Sequence, residues 1–259
     1  MVDLSRRQLL KVSAAAGAAL LPISLPLNAA TDPMPMSGSA AAATAHGFKS
    51  VPHFQTQPTT YLFLNTEEAA FIEAAVARLI PADDEWPGAL EAGVPNYIDK
   101  QLAGTWGAGE RLYRSGPWQQ GTPSQGYQLS YTPAELFRTA LAAISKQLAP
   151  NAFATMSASE KDEYLKQLQA GGRDLGGVPA AEFFAQLWEF TLEGFFSDPV
   201  YGGNRDMVSW RMIGFPGAYA SFYELVDKHG VKLDREPTSL AQSAHGHVHP
   251  NPNISAASL

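Results

Sequence analysis

Apolar residues recur at helical spacing through the middle of this chain, and helix punctuation bounds each run. Asn65-Thr66-Glu67-Glu68 offers an Asn cap with Glu three residues on. Ile72, Val76, Leu79 and Ile80 then share one face until Pro81 stops the helix. Val94-Pro95 opens a short helix with proline at its first position, carrying Tyr97, Ile98 and Leu102. Thr132-Pro133-Ala134-Glu135 predicts a capping box, followed by Phe137, Leu141, Ile144 and Leu148 until Pro150. Ser157 with Glu160 predicts another, with Tyr164, Leu165 and Leu168 on its apolar face and Gly171-Gly172 at its end. Pro179 opens the most apolar helix, bearing Phe183, Phe184, Leu187, Trp188, Phe190 and Leu192. A last helix is expected to carry Tyr219, Phe222, Tyr223, Leu225 and Val226 and to end at Gly230. No segment alternates with period two, and no Asn-Gly or Asp-Gly hairpin signal occurs. The expected fold class is all-α: a single irregular helical domain over residues 61–235, with long Gly/Pro/aromatic loops and extended arms at both ends.

Two segments exceed what a plain bundle needs. Gly104 to Gly126 holds six glycines and two prolines, yet carries Trp106, Tyr113, Trp118, Arg111 and Arg114. Bundle connections usually run ~2–8 residues, and disordered stretches rarely hold so many large aromatics. The segment is therefore expected to pack, either on its own domain or on a partner, because aromatics and Arg are enriched in interface cores. The second segment runs from Phe195 to Gly217. Asp198-Pro199 should end the aromatic helix, Gly202-Gly203-Asn204 supports a left-handed turn, and Gly214-Phe215-Pro216-Gly217 makes a second turn. Tyr201, Trp210 and Phe215 would either join two helices or face another chain. The candidate partner-binding set is Trp106, Tyr113, Trp118, Pro199, Tyr201, Gly202, Gly203, Asn204, Trp210, Phe215 and Pro216.

The ends read differently. Ser5-Arg6-Arg7-Gln8-Leu9-Leu10-Lys11 matches the twin-arginine export pattern, with an Ala- and Leu-rich stretch after it and small residues at Ala29-Ala30. Residues 1–29 are read as the signal, with Arg6 and Arg7 its key pair. An ordinary secretory signal is the competing reading. A membrane anchor is disfavoured because the apolar stretch falls short of ~20 residues and is cut by Pro22 and Pro26. Residues 30–60 are an Ala/Pro/Ser-rich leader, and 236–259 are expected to be a disordered tail.

Composition removes whole classes of chemistry. The 259 residues carry a net charge of −7, which gives no electrostatic footprint for nucleic acid. With no cysteine there is no disulfide, thiol nucleophile, Cys-ligated cluster or CxxCH haem attachment. Gly107-Ala108-Gly109 starts like a dinucleotide fingerprint, but the third glycine and a preceding strand are missing. No P-loop, GxSxG, HExxH or SxxK occurs. Asp83-Asp84-Glu85 lacks the spaced ligands of a calcium loop and reads as a solvated turn. His245, His247 and His249, with Met34 and Met36, are weak metal candidates, since a tail does not preorganise ligands. His229 beside Gly230 suits a helix end. No nucleophile–base constellation emerges, so neither catalytic nor cofactor-binding residues are expected in this chain.

The ordered motifs resemble one family. Phe71-Ile72-Glu73, Arg78-Leu79-Ile80-Pro81-Ala82-Asp83, Pro87-Gly88-Ala89-Leu90-Glu91-Ala92-Gly93-Val94 and Tyr97-Ile98-Asp99 look like the opening of the gluconate 2-dehydrogenase subunit 3 family. Arg111-Leu112-Tyr113, Gly116-Pro117-Trp118, Gly194 to Pro199, Tyr201 to Asn204, and Ser209-Trp210 to Gly217 fit as well. These proteins are the small gamma subunits of membrane-bound FAD-dependent sugar and sugar-acid dehydrogenases. The resemblance implies a non-catalytic subunit that binds, stabilises and co-exports a flavoprotein large subunit through the twin-arginine translocase. FAD would sit in that partner and haem c in a multihaem cytochrome c subunit. The assembly would lie in the periplasm, on the outer face of the inner membrane, attached through its partners. The rival reading is a free-standing periplasmic metal-binding protein or enzyme.

Overall fold

Three helices start on reciprocal caps, as the sequence dictates. Asn65, Thr132 and Ser157 each accept the N–H of a Glu three residues on, and that Glu returns a bond to the cap backbone. The resulting elements are α1 (Thr66–Leu79), α3 (Pro133–Leu148) and α4 (Ala158–Ala170). Between the first two lies α2 (Val94–Ala103), which starts after the left-handed Gly93. α5 (Ala180–Phe196) follows Pro179, and the short helices α6 (Val208–Ile213) and α7 (Leu240–Ser243) complete the set. The computed structural model describes residues 60–110, 112–119, 121–122, 125–219, 226–230 and 235–243. All belong to the unit Thr56–Leu259. The signal, the leader, Arg111 and the His245–His249 tract lie outside the described residues. So do residues 220–225, which hold most of the expected last helix. At its two ends Tyr219 is not helical and residues 226–230 form turns, so His229 caps no helix among the described residues.

α5 is the hub, packing against α1, α2, α3, α4 and α6. Its apolar stripe buries Phe183, Leu187 and Phe190, with the Phe183 ring near those of Phe71 of α1 and Phe137 of α3. Rings run through this core: Phe153 to Phe71 at 4.7 Å between centroids, Phe137 to Phe183 at 5.3 Å and Phe137 to Phe190 at 5.6 Å. Tilted and edge-on pairs of this kind add about 0.5–1.5 kcal/mol each beyond the area they bury. The described residues hold no β-strand, only isolated bridges at Asp174–Pro179 and Gly217–Thr238. The all-α expectation therefore holds.

A buried carboxylate fixes where the chain enters the domain. Asp99, on α2, accepts the backbone N–H of Leu62 at 2.7 Å and those of Phe63 and Leu64 at 2.9 Å each. Arg138 of α3 lies over the Phe63 ring at 4.0 Å, donates to the Phe63 carbonyl at 2.7 Å and pairs with Glu68. At the other end, residues 236–243, the first of the expected tail, are ordered by bonds to the domain. They fold back on the domain, because Asp198, Pro216 and Gly217 offer them backbone and carboxylate partners.

Candidate functional site

The segment after α5 is shaped by close backbone approach. Gly203 stands so near α5 that a Cβ there would lie 2.1 Å from the Gly194 carbonyl oxygen. Gly194 in turn faces the Tyr97 ring, where a Cβ would meet Cδ1 at 2.8 Å. Gly202 is left-handed, and its carbonyl accepts from Asn96 Nδ2 of α2 at 2.9 Å. Arg205 N–H donates to the Ala92 carbonyl at 2.9 Å, which closes the segment onto the start of α2.

Asn204 holds the turn from inside. It is fully buried with φ 44°, donates from Nδ2 to the Ser197 carbonyl at 2.8 Å, and accepts from Ser209 N–H at 3.0 Å and Ser209 Oγ at 2.8 Å. Asp206 (φ 56°) and Met207 (φ 55°) are left-handed too, so three of four consecutive residues carry a conformation that L side chains resist. Trp210 is buried, with Nε1 donating to the Phe196 carbonyl at 2.8 Å and its ring 5.1 Å from that of Phe215.

The candidate residues thus separate into two groups. Gly203, Asn204, Trp210 and Pro216 are buried within the domain. Trp106 is half-buried and packs edge-on against Phe190 at 4.6 Å, so it fixes the first loop to α5. Gly107, also buried, brings that loop onto Leu102, where a Cβ would stand 2.0 Å from the carbonyl oxygen. Beyond it the loop turns outward: Tyr113 is 81% exposed and Trp118 39%. Tyr201 and Phe215 are exposed in the second segment, beside Val200 and Ile213.

Sequence reasoning missed a carboxylate stripe on α5. Glu182, Glu189 and Glu193 follow at helical spacing. Partial burial holds the Glu193 carboxyl above the usual range against a bond from Tyr97 Oη at 3.1 Å, with a smaller push from the Glu189 charge. Glu182 is raised by burial in the same way, against a bond from Gln186 at 3.3 Å, and burial with the Glu182 charge pushes the Tyr127 hydroxyl up to about 12. Folding therefore favours the neutral acid at position 182, and its ionised form costs stability. That cost is absent below the unfolded value of roughly 4.3 and grows as pH rises through the raised folded value. Glu182→Gln should melt about 1–2 °C above the parent at pH 7, and at the same temperature below pH 4, a small shift because the site is half in solvent. Parallel thermal melts at the two pH values check this; an equal gain at both would remove the burial explanation.

Among the described residues no group of three or more His, Cys, Asp or Glu side chains is placed to hold a metal ion. Asp83 spends its carboxylate on the N–H groups of Glu85 and Trp86, an exposed turn as expected. An open groove of about 720 Å³ between the start of α1 and the end of α3 is lined by Phe71, Leu141, Lys146 and Phe153. Of its acids, Glu68 is committed to its cap and to Arg138, and Glu67 to Ser145.

The described residues form a helical domain with exposed aromatic side chains on two loops. The chain belongs to the gluconate 2-dehydrogenase subunit 3 family, whose pattern matches residues 66–217, and residues 3–22 match the twin-arginine translocation pathway signal sequence. It is thus addressed to the periplasm as an accessory subunit of a gluconate dehydrogenase-like complex. Comparison with curated proteins and with solved structures returns no match. Among the described residues no helix is long and apolar enough to cross a membrane.

Proposed function

We propose that this chain is the non-catalytic small subunit of an FAD-dependent sugar or sugar-acid dehydrogenase, and that it binds, stabilises and co-exports the flavoprotein subunit. The observation that carries the reading is the union, on one chain, of a twin-arginine signal at 3–22 and a family match at 66–217 that spans both aromatic segments. The exposed set Tyr113, Trp118, Tyr201 and Phe215 meets the flavoprotein, while Trp106, Asn204 and Trp210 keep the loops in shape. Binding the folded partner stabilises it by mass action, and one signal then serves two folded chains. FAD belongs to that partner, and a cytochrome c subunit takes the electrons. Attachment to the outer face of the inner membrane runs through those partners.

Replacing the signal pair by Arg6→Lys with Arg7→Lys should hold both this chain and the flavoprotein in the cytoplasm. Cell fractionation followed by dehydrogenase assay and flavin measurement reads the outcome. An active flavoprotein in the periplasm of cells lacking this chain would sink the escort role.

A further inference from the structure

The family match ends at residue 217, yet residues 236–243 return to the surface that the match has just completed. They are held as a strap. Thr238 N–H donates to the Pro216 carbonyl at 3.1 Å, and Ala218 N–H donates to the Thr238 carbonyl at 2.7 Å. Glu236 pairs with Arg211 of α6, and its carbonyl accepts from Tyr219 Oη at 2.9 Å. Ser239 is buried. Asp198 adds a further link: one oxygen accepts Val200 N–H at 3.0 Å and the other accepts Leu240 N–H at 2.7 Å. A single buried carboxylate therefore sets Val200 and Leu240 side by side.

The strap leaves several large apolar side chains of this surface in solvent. With it in place, Val200, Tyr201, Ile213 and Phe215 are still 45–57% exposed, and Leu240 adds its own side chain at 46%. Exposed apolar groups clustered on a well-bonded frame mark an interaction surface. We propose that the strap Glu236–Ser243 is a working part of the docking surface for the flavoprotein subunit, contributing Leu240 as a contact and bracing Val200 and Phe215. The occupant follows from the proposed function, on which this inference rests; the strap extends the family-matched surface without a break.

The test uses the tagged full-length chain with its flavoprotein, identified by peptide mass mapping and measured as bound flavin per tagged chain. A stop after Ser243 should bind as the parent does. A stop after Arg235 should bind about tenfold more weakly, the loss expected of one central apolar contact. Leu240→Asp, which keeps every backbone bond of the strap, should fall by a similar factor with its melting temperature unchanged. Parent-like binding by both of these variants would overturn the strap's role. A full-length chain that retains no flavoprotein would instead remove the docking reading beneath it.

Discussion

Asp99→Ala should unfold about 10 °C below the parent, a loss of about 3–5 kcal/mol. The Asp99 carboxylate is 1% exposed and takes three successive backbone N–H groups from Leu62, Phe63 and Leu64. A donor buried without a partner costs roughly 1–3 kcal/mol; the Leu64 bond is buried and those of Leu62 and Phe63 are partly so. Loss of the clamp also frees Phe63, so the Arg138 guanidinium loses the carbonyl and the ring it now rests on. Domains of this size have only about 5–15 kcal/mol in hand, so the loss is a large share. Asp99→Asn should fall between the two, because an amide oxygen can still accept from Phe63 and Leu64 while Leu62 meets the NH2 group. Urea titration of the three proteins measures the order. A melting temperature for Asp99→Ala within about 2 °C of the parent would show that the clamp is ornamental.

Asn204→Ala should cost about 3 kcal/mol and abolish capture of the flavoprotein, while leaving the helix content nearly intact. The substitution removes the donor to Ser197 and both bonds from Ser209, and it keeps a Cβ on a left-handed backbone. Damage is expected to stay within residues 197–217, because the ring core on α5 does not depend on Asn204. Asn204→Gly loses the same bonds but suits φ 44°, so it should be milder by about 1 kcal/mol. Hydrogen exchange at the Ser209 amide, circular dichroism and flavin retention separate these outcomes. Global unfolding of Asn204→Ala, or full flavin retention by it, would contradict the anchoring role.

Much of this architecture was legible because its signals are local. The caps at Asn65, Thr132 and Ser157 use pairs three residues apart, and each appears in the structure with both bonds made. The turn at Gly202-Gly203-Asn204 was legible for the same reason, since left-handed backbone favours Gly and Asn. Partition of the aromatic residues was not. Trp210 and Phe215 are both large aromatics in the sequence, but only Trp210 carries a ring N–H, which donates to the Phe196 carbonyl, and only Trp210 is buried. The Asp99 clamp joins residues 35 to 37 positions apart, beyond the reach of any periodic pattern. One clue existed: a lone carboxylate beside Tyr97, Ile98 and Leu102 needs a partner if it is buried. The strap escaped notice because its bonds are mostly main-chain, and Glu236-Pro237-Thr238-Ser239 has the composition of an exposed arm.

Asp198 grips position 240 by its main-chain N–H and not by its side chain. Proline alone is barred there, since it has no hydrogen to give. Nineteen amino acids satisfy the same latch and would be displayed at the same spot. Evolution, or a protein engineer, can therefore rewrite the chemistry offered at this point one codon at a time, with the scaffold behind it left as it is.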